Sequence, residues 1–142
     1  MKILNSNNLK LFLLLPVFCL TIVSCSSDDD LSAIITVNEG PTNDIGGDFM
    51  GNGGDGSRTI SWTNSLSTAD YNADITATSS GVFQIVVADA NGAVVLDKSL
   101  NGNTEPDSID GVTSAGEPGL WTVTITLTSF KGDGSYSLSA GD

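Results

Sequence analysis

The stretch Trp121-Thr122-Val123-Thr124-Ile125-Thr126-Leu127-Thr128 alternates without a break, apolar at every odd position and threonine at every even one. Successive side chains of an extended chain point to opposite faces. A period of two therefore turns Trp121, Val123, Ile125 and Leu127 toward a core and the threonines away from it. Helical spacing would scatter the same residues around the helix axis. Phe130 falls out of phase by one residue, and a bulge or strand end near Ser129 returns it inward. Lys131-Gly132-Asp133-Gly134 reads as a turn. Ser135–Ala140 reads as the returning strand, with Tyr136, Leu138 and Ala140 on one face, so the segment predicts a β-hairpin.

The same grammar extends toward the N-terminus. Val82–Ala88 places Phe83, Ile85 and Val87 on one face. Asp89-Ala90-Asn91-Gly92 follows, with Asn91-Gly92 suited to the positive φ angles of a type I′ turn. Ala93–Leu100 returns with Val94 and Leu96 against Val95; Val86 and Val95 on opposite faces predict central strands, buried in part on both sides. Asp70–Ser79 carries Ala73, Ile75 and Ala77 inward, and Ser57–Asn64 carries Ile60 and Trp62 inward with Arg58 in register. Ala33–Val37 and Ile109–Thr113 are shorter strands. The Gly-rich segment 46–56 reads as a loop pinned to the core edge by Phe49 and Met50. Gly-Asp-Gly-Ser occurs at 54–57 and again at 132–135, each time as turn chemistry before a strand. The fold predicted for residues 33–142 is all-β: a single jelly-roll-like β-sandwich of about eight antiparallel strands.

What precedes residue 33 has a different character. Lys2 and Lys10 flank the start of an apolar run, Leu11–Val23, interrupted by Pro16. The run is shorter than the about 20 residues a spanning helix needs, so residues 1–24 read as a signal peptide. Ile22-Val23-Ser24-Cys25 resembles a bacterial lipobox. The resemblance implies that the Cys25 thiol takes a diacylglyceryl group as a thioether, and that the small Ser24 admits the peptidase that cuts before it. Ser26, Ser27, Asp28, Asp29 and Asp30 resemble the export signal of surface lipoproteins in the Bacteroidetes, especially the flavobacterial branch. They imply a protein held to the outer membrane by its N-terminal lipid and facing the cell exterior. Residues 25–32 also read more plainly as a solvated acidic tether.

Within the sandwich, Gly119-Leu120-Trp121, the threonine strand and Gly134-Ser135-Tyr136-Ser137-Leu138 resemble the last two strands of bacterial jelly-roll accessory domains such as the pre-peptidase C-terminal domain. That resemblance spans roughly Val82 to Ala140. It implies a non-catalytic accessory role and carries over no catalytic residue. The module is expected to stand without a catalytic domain.

Composition narrows the chemistry. All 17 acidic residues follow Cys25, against Arg58, Lys98 and Lys131. Such a surface repels nucleic acid and favours solubility or cation binding. Histidine is absent, which excludes Ser-His-Asp and Cys-His catalysis and His-ligated zinc. Cys19 leaves with the leader, so Cys25 has no disulfide partner in its own chain. Trp62 and Trp121 sit in core register; Tyr71 and Tyr136 are the better candidates for exposed aromatics. Calcium is the ligand the residues suggest: Asp44, Asp48 and Asp55 lie among glycines able to turn carbonyls toward an ion, and Glu105, Asp107 and Asp110 form a second acidic loop. The expected function is a non-catalytic structural or adhesive module with a protein or glycan partner. The alternative is a carbohydrate- or calcium-binding module of a surface uptake system.

Overall fold

The alternating segment is the first half of a much longer strand. The computed structural model describes residues 30–40 and 44–141, and its strands are β1 (Ala33–Ile35), β2 (Asn38–Glu39), β3 (Ile45–Asn64), β4 (Ala69–Ala77), β5 (Val82–Ala88), β6 (Val94–Asn101), β7 (Ser108–Val112) and β8 (Gly119–Ala140). Every pairing among them is antiparallel. Among the described residues the structure is all-β, as the period-two patterning requires.

The two long strands, β3 and β8, pair from Ile45 opposite Leu138 to Asn64 opposite Gly119. Their register slips between Asn52 and Gly54 and again between Gly54 and Gly56. At the same level Ser129 of β8 takes a φ of 45°. Extra residues on one strand of a pair bend it and increase its twist, so both strands turn a corner together. The Asp55 carboxylate closes the corner, accepting the Ser129 N–H at 2.6 Å. Phe130 is thereby returned to the core and fully buried.

The corner divides the sheet into two layers. Before it, β8 pairs with β5 from Thr122 to Thr128, and β5 pairs with β6. After it, β8 pairs with β4 from Gly132 to Ala140, and β4 pairs with β7. β3 runs beside β8 through both layers, with β1 and β2 added to its first half. One core lies between them. Trp121, Val123, Ile125, Leu127, Phe83, Ile85 and Val87 enter it from the first layer; Phe49, Ala73, Ile75, Tyr136 and Leu138 enter it from the second. Each Val, Leu, Ile or Phe side chain so removed from water contributes about 1.5–3 kcal/mol.

Several expectations are corrected. Lys131-Gly132-Asp133-Gly134 is not a turn, and no hairpin joins 121–128 to 135–140: both belong to β8. The hairpin on which the likeness to accessory domains rested is therefore not formed. Segment 46–56 is not a loop but the first half of β3. Glycine serves both turns and close packing, and here it serves packing. A Cβ on Gly134 would lie 2.5 Å from Cζ of Phe49, its register partner. In the β5–β6 turn only Gly92 takes a positive φ, 82°, so it is a three-residue G1-bulge type, not type I′. A register shift after Val87 turns both Val95 and Leu96 inward and leaves Val94 exposed. β6 pairs with β5 alone, and is an edge strand rather than a central one.

Candidate functional site

Cys25, Ser26, Ser27, Asp28 and Asp29 lie outside the described residues. Asp30 is the first of them and is exposed. Its carbonyl accepts a hydrogen bond from Nδ2 of Asn52 at 3.4 Å, while Oδ1 of Asn52 accepts the Ser32 N–H at 2.7 Å and its backbone N–H donates to the Ser32 carbonyl at 3.1 Å. Asn52 thus holds the entering chain to the corner.

The aromatic side chains are spent on the core. Trp62 and Trp121 are register partners packed edge to face, with centroids 6.0 Å apart and both buried. Nε1 of Trp121 donates to the Glu117 carbonyl at 2.8 Å. Tyr136 is buried, contrary to expectation; its hydroxyl reaches across the layer to the Thr36 carbonyl at 2.8 Å. Burial raises its pKa, against the lowering field of Arg58. Tyr71 is half-buried. Among the described residues no aromatic platform is exposed for stacking against a sugar ring.

The carboxylates proposed for calcium are not gathered. Asp48 and Asp55 stand on one extended strand, seven positions and about 20 Å apart. Asp48 is exposed opposite Ser135, and its backbone bonds with Thr36. Asp55 is engaged at the corner. Asp44 is half-buried ahead of β3, with its carbonyl taken by the Gly40 N–H at 2.6 Å. Among the described residues no group of three or more Asp, Glu, His or Cys is placed to hold a metal.

Two surface features remain. A cleft of about 400 Å³ opens between the end of β4, the end of β6 and the loop that follows it; Asn101, Asn103, Thr104, Glu105 and Asp107 stand over Ile75 and Ala77. Asp110, grouped with that loop in the sequence, lies instead on β7 opposite Asn72. The cleft is rich in acceptors and amides and suits a small hydrophilic ligand. On the outer face of the second layer, a groove of about 450 Å³ meets another of about 300 Å³ at Ile34, Met50 and Asp133. Asp48 and Asp133 line it, and Asp74 and Asp110 project farther along the same face, with Asn72, Ser135 and Ser137. The Ser135 hydroxyl donates to Asp74 at 2.7 Å.

A further carboxylate has a purely structural office that the sequence conceals. Asp89 directly follows β5 and is buried. Its Oδ1 accepts the N–H groups of Asn91 and Ala93 at 2.9 and 2.8 Å, and its Oδ2 that of Glu117 at 2.8 Å. The Glu117 bond, followed by those of the turn, holds its pKa below the ordinary carboxylate value against the opposing cost of burial. Asp89 so fixes both the β5–β6 turn and the crossing from β7 to β8.

No protein-family model matches the chain. No curated protein matches it. Among solved structures it is similar to a family 61 carbohydrate-binding module in complex with β-1,4-galactotriose, at 9% identity over 80% of this chain and 90% of that one, with a TM-score of 0.47. It is similar also to a family 11 carbohydrate-binding module from Clostridium thermocellum in complex with a β-1,3-1,4-mixed-linked tetrasaccharide, at 11% identity over 79% and 84%, with a TM-score of 0.40. A family 4 carbohydrate-binding module stands at 13% identity over 78% and 91%, with a TM-score of 0.36.

Proposed function

We propose that the protein is a lipid-anchored outer-membrane lipoprotein, displayed at the cell surface, whose β-sandwich is a non-catalytic structural or adhesive module. The observation that carries the non-catalytic, adhesive part is the division of side chains. Aromatics fill the core, while the outer faces carry hydroxyls, amides and carboxylates that suit broad polar contact. Anchoring rests on the lipobox, and export on Ser26–Asp30. Replacing Asp28, Asp29 and Asp30 with alanine is expected to leave acylation intact and to hide the protein from protease added outside the cell. Undiminished cleavage in that variant would reduce the triplet to a spacer.

A second reading is favoured by the cleft over Ile75 and Ala77: a module that binds a soluble glycan through Asn101, Asn103, Glu105 and Asp107. Titration of the protein with oligosaccharides, followed by calorimetry, separates the two. Binding lost on Asn103→Ala and Glu105→Gln would favour the glycan reading, and no heat with any saccharide would count against it.

A further inference from the structure

We propose that the groove around Ile34 and Met50 rests on the lipid surface to which Cys25 ties the chain, with Asn52 fixing that orientation; the inference rests on the lipoprotein reading above. Ile34 and Met50 are direct cross-strand partners on β1 and β3, and they are 56% and 57% exposed on the outer face of the second layer. Leu31, 68% exposed, lies over Gly53 at the same end. The chain enters the fold beside this patch: Ser32 and Asn52 line the groove, and Asn52 bonds both Asp30 and Ser32.

Reach then decides what the patch meets. Cys25 precedes Leu31 by six residues, which span at most about 20 Å when fully extended. A lipid on Cys25 therefore keeps Leu31, Ile34 and Met50 within one domain's width of the bilayer. A short tether also holds them there at high effective concentration, so that a patch too small to capture a free vesicle still docks. Val112, also exposed on this face, stands at the opposite edge of the layer on β7. Leu120, at the far end of the first layer, is about 30 Å along β8 from the corner. Asp48 and Asp133 flank the groove with Lys131 beside them, so the surface it accepts is zwitterionic rather than anionic.

The test uses the acylated full chain in phosphatidylcholine vesicles with brominated acyl chains. Cys19 leaves with the leader and Cys25 is blocked by its lipid, so Met50→Cys or Leu120→Cys supplies a lone thiol for an environment-sensitive fluorophore. The label at position 50 is expected to lose emission in brominated vesicles, while the label at 120 does not. Adding Asn52→Ala is expected to diminish the loss at 50. Equal quenching at both positions, or none at 50, would overturn the docking. A label at 50 shielded from aqueous iodide yet untouched by brominated lipid would assign the face to a protein partner and overturn it equally. Acylation is read by mass on the same sample: its absence overturns the lipoprotein reading, whereas acylated protein with an unquenched label overturns the docking alone.

Discussion

The rings of Phe49 and Phe83 stack with centroids 4.7 Å apart and 15° between their planes, one ring from each layer of the sandwich. Phe49 also meets Phe130 edge to face at 5.6 Å, directly below the corner where β3 and β8 bend. The three rings join the layers at the point where the sheet folds over. Phe49→Ala and Phe83→Ala are each expected to cost about 3–5 kcal/mol in denaturant unfolding. The double variant should lose about 1 kcal/mol less than the sum, because the stacked pair can be lost only once. Strict additivity would show that the rings do not couple the layers.

The corner itself is held by Asp55. Asp55→Ala removes the acceptor for the Ser129 N–H and is expected to cost about 1–2 kcal/mol, with Asp55→Asn keeping part of it. Calcium and magnesium at matched ionic strength should raise the melting temperature of the parent protein equally, since Asp48 and Asp55 share no centre. A calcium-specific rise abolished by the Asp48→Asn, Asp55→Asn pair would restore the metal assignment.

Much of this was legible in the sequence, and the errors have two causes. The parity of Trp121–Leu127, of Phe83–Val87 and of Ala73–Ile75 placed the core faces, and the phase slip at Phe130 located the bend at Ser129. Gly132 and Gly134 suggest a turn because glycine is what turns need. Here Gly132 has a φ of 152° and Gly134 makes room for the Phe49 ring. Gly-Asp-Gly-Ser at 54–57 and 132–135 marks the two bent strands, not two turns. Asn52 and Asp89 were missed as anchors because their partners, Ser32 and Glu117, are 20 and 28 residues away. No local spacing announces such bonds.

Asp89 gives the fold a pH dependence of known sign. Its pKa is depressed in the folded state, so its contribution is complete above the unfolded value near 4 and fades as pH falls through the folded value. Asp89→Asn should lower the melting temperature at neutral pH. It should also flatten the further loss expected of the parent as pH drops below about 4. Parallel melting curves for parent and variant over that range would deny Asp89 this role.

The two faces of the threonine strand should answer differently to the same charge. Val123 is fully buried between β3 and β5, and Val123→Asp is expected to cost several kcal/mol, comparable to about the whole stability of such a domain. Thr124 is half-exposed, its hydroxyl 3.4 Å from that of Thr59, and Thr124→Asp should cost about 1 kcal/mol or less. Comparable unfolding by both would mean that the threonine face is covered.

The central claim is that the sandwich is carried on a lipid at Cys25, and metabolic labelling with radioactive palmitate tests it most directly. Labelled protein in the membrane fraction of the parent is predicted, with Cys25→Ser giving unlabelled protein. Each buried methylene of an acyl chain contributes about 0.8 kcal/mol, so several chains hold the parent almost permanently and their loss should release it. Label retained by Cys25→Ser, or no label on the parent, would contradict the account.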